Sequence, residues 1–410
     1  MGLGAVRRWW RGRGERRRRA RWPAGRPLDV VITHAEVNAM HGTGVLLGRL
    51  FGAAPDVAFL RTRDDYDGRQ RAGAFGLRLG GLAGAAGGER AAARRAVDRA
   101  LTGIPVRRVL VVPFRAEDVH VALALGEAGA PVATWIMDDR NLEVAGIPDA
   151  LLAELLDRSA LRLTISPELR DAVAARFGRA LAFVPPVIDP RWVLHGPHLP
   201  PPPVLAGGRG VMLGNVWGRG WLRRLCDVAP GAGVTLDWYA ASDLRWHALD
   251  AAALTAAGIH RRPGLGDAAL VARLRAAPYA LLPTGTLDAE DDHRAIARYS
   301  LPSKAVFVAA AAHLPTVVVG HPDTAAARFV TRHGLGRVVP YDPGALRDAV
   351  AELRRPEVQA GIRARAAALA PRLSAEGVAA WLWTSLAAGR PLDGRFDDGL
   401  DARIAATEAP

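Results

Sequence analysis

The sequence predicts an α/β protein built as two doubly wound domains in tandem. Short apolar runs alternate with amphipathic helical stretches in two rounds, one on each side of a proline-dense break. Near-continuous apolar strands alternating with helices imply parallel sheets covered on both faces. A length of 410 residues suits two ordinary domains. Half the residues are hydrophobic and 23% are charged, so cores can form. The 44 glycines and 29 prolines stay below the level of a low-complexity chain, which excludes wholesale disorder, collagen and coiled coil. A single cysteine, Cys226, excludes an internal disulfide framework and a cysteine-rich zinc site.

The net charge of +13 is unevenly placed. Residues 1–27 hold ten Arg against one acid, Glu15, and so carry most of it. This stretch is expected to be a basic disordered tail, either a solvated charge block or a contact for anionic lipid headgroups in which Trp9, Trp10 and Trp22 sit at the interface. It lacks the apolar core of a secretory signal, and no uncharged apolar run is long enough to span a bilayer. The expectation is a cytoplasmic protein, at most peripheral to a membrane, with no nucleic-acid partner because the folded body is nearly neutral.

From Leu28 the strands are expected at 28–33, 56–60, 108–113, 131–137, 161–165 and 181–184, with helices at 43–51, 89–102, 117–128, 148–158 and 167–177. The last of these has Ser166 as N-cap, Pro167 in the first turn and Gly178 past the end. Six prolines between 190 and 210 mark a stiff linker over 190–209. The second round places strands at 211–214, 234–239, 279–282 and 316–319. Helices are expected at 219–228, 244–257, 267–276, 303–313, 323–333 and 344–354, and a final amphipathic helix at 374–388 carries Trp381 and Trp383.

Ligands of open parallel sheets bind beyond the carboxyl ends of the strands, which selects a few segments. After the first strand comes Asn38-Ala-Met-His41-Gly42-Thr43-Gly44, entering a helix whose first N–H groups are unpaired; the plain alternative is a tight turn. After the 131–137 strand come Asp138 and Asp139, of which at most one can face a ligand; the plain alternative is an Asp that caps the next helix and pairs with Arg140. His120, just inside a helix, is a candidate acid–base group or a packing residue. In the second round Asn215, Trp217 and Arg219 follow the first strand, and Asp288 lies in the loop after the 279–282 strand. Tyr299-Ser300-Leu-Pro302-Ser303-Lys304 opens an apolar helix. A diphosphate placed there meets a dipole end, two hydroxyls and the chain's single lysine. Arg stands at the other 53 basic positions, so Lys304 is a position to examine. Thr324, at the helix start after the 316–319 strand, is a further candidate. Walker A, His-Glu-x-x-His, Gly-x-Ser-x-Gly and dinucleotide fingerprints are all missing, which removes support for kinase, zinc hydrolase, serine hydrolase and simple dehydrogenase chemistry.

At these residues the chain resembles glycosyltransferases of the GT-B fold, family-4-like members in particular. The resemblance rests on HAEVNAMHGTGVLLGRLF, WIMDDRN with GIPD, LRLTISPELRDAVAARFG with FVPPVID, and IARYSLPSKAVFVAAAAHLP with TAAARFV, and it spans about Leu28 to Leu353. It implies two Rossmann-like domains facing a cleft: an acceptor-side domain at 28–189 and a nucleotide-sugar-binding domain at 210–370. Residues 371–410 would carry the helix back to brace the first domain. It also implies no cofactor and no bound metal, with Ser300, Ser303 and Lys304 as phosphate contacts and Asp138 as a cleft residue. The glutamate pair of many retaining members is absent, since Ser300 and Val308 occupy its positions.

The expected function is therefore metal-independent transfer of a hexosyl group from a nucleotide sugar to a glycan, lipid or small-molecule acceptor, as in polysaccharide biosynthesis. Lys304, Arg219 and the 303 helix would stabilise the departing diphosphate, and Asp138, Asp139 or His120 would supply any base. Two other readings stand beside it: a nucleotide-sugar epimerase, and a non-catalytic nucleotide- or sugar-binding protein of polysaccharide assembly.

Overall fold

The structure is a computed structural model that describes residues 3–66, 69–71, 73–82, 89–139, 142, 146–196, 205, 207–240 and 251–396, with side chains from residue 12 onward. It contains two compact units. The first comprises Met1–Val184 with Gly377–Gly394; the second comprises Pro185–Glu376 with Arg395–Pro410.

The first unit is a seven-stranded parallel sheet. Its strands are β1 (Leu28–Thr33), β2 (Val57–Arg61), β3 (Phe75–Arg78), β4 (Val106–Val111), β5 (Val132–Ile136), β6 (Leu161–Thr164) and β7 (Ala182–Phe183). Their order is β3-β2-β1-β4-β5-β6-β7, so the winding reverses between β1 and β4. The LDVVIT run of β1 is buried along its whole length, as a central strand with helices on both faces requires. Asp29 inside it is buried too, and its carboxylate accepts from Arg107 at 2.7 Å and Arg108 at 2.8 Å. The helix Pro167–Phe177 has the cap its sequence predicts: Ser166 Oγ accepts from the Leu169 amide, and Gly178 takes the left-handed conformation.

The second unit is a six-stranded parallel sheet of β8 (Gly210–Leu213), β9 (Leu236–Tyr239), β10 (Ile259–Arg262), β11 (Ala280–Pro283), β12 (Thr316–Val319) and β13 (Gly336–Val339). The order is β10-β9-β8-β11-β12-β13, with its reversal between β8 and β11. These two strands pair only at Val211 and Ala280, whereas β11 and β12 pair over four residues. The sheet therefore opens toward the carboxyl ends at its switch point. Helix Ser303–Ala312 is buried from Ala305 to Ala312, which its run of small residues permits. Its C-terminal carbonyls are met by two guanidinium groups, Arg275 Nε on Ala311 at 2.9 Å and Arg363 Nη1 on Ala312 at 3.1 Å. Cations at that end suit the helix dipole.

Several expectations need correction. Strands β3, β10 and β13 were not anticipated; all three are sheet edges, where half-exposed backbones do not need a continuous apolar run. Helices Arg294–Tyr299 and Pro356–Leu369 were likewise missed. Within the 1–27 stretch, expected to be a disordered tail, Leu3–Ala20 is helical. Its one acid anchors it: Glu15 is buried, and its Oε2 accepts the Gly76 N–H of edge strand β3 at 2.6 Å. Arg19 Nε donates to Ala100 O at 2.9 Å, and Trp22 meets Phe75 edge-on at 6.2 Å. The first part of the 190–209 linker is also packed. Pro190–Trp192 forms a 3-10 turn, and the Leu194 amide donates to Ala310 O at 2.9 Å within the second unit. Prolines 197 and 200–203, residues 241–250 of the expected 244–257 helix, and the chain after 396 lie outside the described residues.

The last helix, Val378–Ala388, belongs to the first unit. Its Trp383 ring lies 5.4 Å from Phe51, with the Arg108 guanidinium 4.6 Å from the ring centre.

Candidate functional site

In the second unit the candidate residues converge on the switch point. The β8 run ends at Leu213, and Gly214 follows with φ 66°, turning the chain into Asn215-Val216-Trp217-Gly218. Trp217 is 46% exposed, an unusual state for so large an apolar side chain. The helix Arg219–Ala232 begins at Arg219, and Gly218 as N-cap brings no side-chain acceptor. Across the switch point stands Lys304, in the first turn of Ser303–Ala312. Its ammonium donates to the Asn215 carbonyl at 2.7 Å. Burial pushes this ammonium down to about 8, so it stays charged at neutral pH with little margin. Pro302 is the N-cap and supplies no capping side chain, and its carbonyl takes the Ala305 amide at 2.9 Å, which leaves the Ser303 and Lys304 N–H groups of the first turn to meet another acceptor. The Ser300 hydroxyl is buried beside this turn without a hydrogen-bond partner. Ser300, Ser303 and Lys304 are thus held together by one helix start.

The loop after β11 is organised by an acid that the sequence reading did not assign. Asp291 is buried and accepts from Trp221 Nε1 at 2.8 Å, the Leu287 amide at 3.0 Å and the His293 amide at 3.1 Å. Gly285 is required there, because a Cβ would strike the Asp291 carboxylate and approach Ala297 Cβ to 2.6 Å. Asp288 lies at the rim, exposed, in an ion pair with Arg224 at 3.0 Å. The Thr286 hydroxyl, then Arg224, hold its carboxyl below the usual range. Asp292 Oδ2 accepts the Arg219 amide at 3.4 Å, so a carboxylate already faces that helix start. Thr324 is fully buried and spends its hydroxyl on a cap, accepting from the Ala327 amide at 3.3 Å and donating to His321 O at 3.0 Å. It is a capping residue, and its hydroxyl is committed.

The first unit gathers its own set beyond β1 and β4. His41 is the N-cap of helix Gly42–Phe51. Its Nδ1 accepts from the Gly44 amide at 3.3 Å while Nε2 lies 2.8 Å from Glu36 O. Burial, above all, lowers its proton affinity, and Tyr66 stacks on the ring at 4.5 Å. Asn38 is engaged locally: its Oδ1 accepts from Met40 and its Nδ2 donates to Arg69 O, each at 2.8 Å. Gly44 admits no side chain, since a Cβ would come within 2.6 Å of Asn38 O. Gly42 and Thr43 form the outer rim of this turn. The 38–44 segment is therefore a tightly tied turn.

Asp138, after β5, lines a small pocket with Pro113, Ile136, Leu142, Ile147, Leu152 and Val173. Among the described residues of that lining it is the one carboxylate. Asp139 is buried beneath, its amide donating to Asp138 Oδ1 at 2.8 Å. The two adjacent acids thus have different surroundings, as neighbours on a turn must. His120 lies on helix Ala116–Glu127; burial and then the charge of Arg90 lower its proton affinity, while Glu89, Glu154 and Glu117 oppose the fall.

A second acid missed by sequence reasoning is Asp118. It is fully buried at the third position of the same helix, where Oδ2 takes the Phe114 and Arg115 amides at 3.0 Å and Oδ1 takes the Thr62 hydroxyl at 2.7 Å. Burial pushes its carboxyl up to about 6. The turn it fixes sets Phe114 against His34, ring centres 4.3 Å apart, at the first sheet's switch point. An acid three residues into a helix was its only sequence signal.

No protein-family model and no curated protein matches the chain. Solved structures of similar fold do. Anabaena HepE in complex with UDP-glucose aligns with a TM-score of 0.63 over 88% of this chain and 99% of that one, at 14% identity. WaaG, a glycosyltransferase involved in lipopolysaccharide biosynthesis, aligns at 0.57 over 86% and 98%, with 11% identity. The α,α-trehalose 6-phosphate synthase of Burkholderia multivorans aligns at 0.56 over 89% and 97%, with 13% identity. The α/β architecture of two parallel sheets, seven and six strands, is that of these GT-B proteins.

Proposed function

We propose that the chain is a metal-independent glycosyltransferase of hexosyl type, acting on a nucleotide-sugar donor and a glycan, lipid or small-molecule acceptor. One observation carries the reading: the Lys304 ammonium, on an uncapped helix start, bonded to Asn215 O across the second sheet's switch point. A diphosphate over that turn accepts first-turn N–H groups, the Ser303 hydroxyl and the ammonium. Negative charge growing on the leaving phosphate would be stabilised by donors already in position. Arg219, the first residue of the helix after β8, adds a second positive charge. Asp138 is the acceptor-side carboxylate that would receive or orient a hydroxyl. The UDP-glucose bound in the HepE structure makes uridine nucleotides the first probes. A second partner in this reading is an anionic membrane surface met through the N-terminal helix.

Thermal unfolding of the wild type and Lys304→Ala, with UDP, UDP-glucose and other nucleotide sugars, tests the donor site. A ligand at 100 times its Kd adds about 2.7 kcal/mol to the wild type, and the variant should lose that protection. Absence of protection by every nucleotide in the set would sink the donor assignment.

A non-catalytic nucleotide- or sugar-binding role is supported by Val308, an apolar buried side chain at a position where the resemblance to retaining GT-B enzymes implies a glutamate. Protection by UDP-glucose without its consumption in the presence of acceptors would favour it. An epimerase would convert the donor with no acceptor present.

A further inference from the structure

Residues 215–219, which lead from β8 into its helix, are fastened from two directions. At one end the Lys304 ammonium holds Asn215 O. At the other, Gly218 lies against the buried Trp221 indole, so closely that a Cβ on Gly218 would come within 2.5 Å of the ring. That indole donates its Nε1–H to Asp291 at 2.8 Å. Asp291 also gathers its own loop, taking the Leu287 amide at 3.0 Å and the His293 amide at 3.1 Å. Leu287 is held there with φ 58°, a left-handed conformation that a leucine adopts only under constraint. The next acid, Asp292, accepts the Arg219 amide at 3.4 Å. The loop after β11 thus meets the Arg219 helix start through two neighbouring acids, and Asp291 is the one that is buried.

The three groups that donate to Asp291 are all neutral. A carboxylate taken out of water onto neutral partners is a costly fastening. It stands beyond the carboxyl ends of β8 and β11, where an open parallel sheet binds its ligand. Buried and occupied by these donors, the carboxylate acts through the groups it holds.

We infer that Asp291 is a positioning residue of the donor site: through Trp221 and Gly218 it fixes the helix start from which Arg219 meets the diphosphate. The inference rests on the donor reading proposed above and adds the residue that sets its second cation in place. Arg219 then meets the ligand from a backbone already ordered, which lowers the ordering cost of binding.

The test is calorimetric titration of the full chain with UDP, or with whichever nucleoside diphosphate protects the wild type, in a cycle of variants with Arg219→Ala. Trp221→Phe keeps a ring beneath Gly218 and removes the donor. Asp291→Asn keeps the shape and sets an amide NH2 among N–H donors. Each should weaken binding about tenfold when Arg219 is present, the scale of one hydrogen bond to a charged group. In the Arg219→Ala background the loss should be under about twofold, because residues that act through one group are not additive. A merely structural role would weaken binding by the same factor in both backgrounds, and that result overturns the inference. Affinity unchanged in Trp221→Phe overturns it as well. If Arg219→Ala binds like the wild type while Lys304→Ala does not, the inference falls and the donor reading stands. A wild type that binds no nucleoside diphosphate sinks both.

Discussion

The side-chain ammonium of Lys304 donates to the backbone carbonyl of Asn215 at 2.7 Å, joining the first turn of a buried helix to the loop that ends β8. The bond holds a positive charge at the second sheet's switch point before any ligand arrives.

That charge has a pH signature with two opposite signs. Burial lowers the Lys304 ammonium from 10.5 to about 8 in the folded protein. Between about 8 and 10.5 the unfolded chain holds the proton more tightly, so this group makes the ligand-free protein more stable as pH rises through that window. Donor affinity should move the other way, falling above about 8 as the ammonium deprotonates. Calorimetric titration of UDP-glucose at pH 7 and pH 9 checks this; affinity independent of pH would remove Lys304 from the phosphate contacts.

Asp118 predicts an acid-side effect. Its folded carboxyl is raised to about 6, so the folded state binds the extra proton between about 4 and 6 and its contribution to stability declines as pH rises across that range. Asp118→Asn should flatten this part of the curve, while Asp118→Ala should cost about 1–3 kcal/mol by orphaning the Phe114 and Arg115 amides. Urea denaturation at pH 4.5 and pH 7 distinguishes the two variants.

Trp383 tests the packing of the last helix. The ring is buried against Phe51 and under Arg108, so Trp383→Ala should destabilise by about 3–5 kcal/mol. Denaturant midpoints measure it; a change below about 0.5 kcal/mol, the range of ordinary surface substitutions, would mean that the helix is not docked there.

Glu15→Ala should free the Gly76 amide and cost about 1–3 kcal/mol. Hydrogen exchange at Gly76 should quicken in the variant while the central β1 amides keep their protection; unchanged exchange at Gly76 would contradict the Glu15 contact.

Much of the architecture was legible in the sequence. β1 and β12 lie where their apolar runs predict, and the Ser166–Gly178 helix carries both its caps, because burial on both faces and local capping leave short-range signatures. The edge strands β3, β10 and β13 were not legible, since strands such as Ile-His-Arg-Arg are only partly buried and carry no periodicity that a loop would lack. At the candidate site, the helix start at Pro302-Ser303 could be read from its residues. Thr324 looked equivalent there, yet its hydroxyl is consumed by capping.

By itself, the sequence determined the α/β class, the two rounds of winding and the excess of arginine at the N-terminus, because these depend on residue type and spacing within one element. Only the tertiary structure decided which polar groups act together. Lys304 and Asn215 are 89 residues apart, Glu15 and Gly76 are 61 apart, and Thr62 and Asp118 are 56 apart. Burial makes each of these pairings matter, since a polar group removed from water must find a partner wherever the fold brings one.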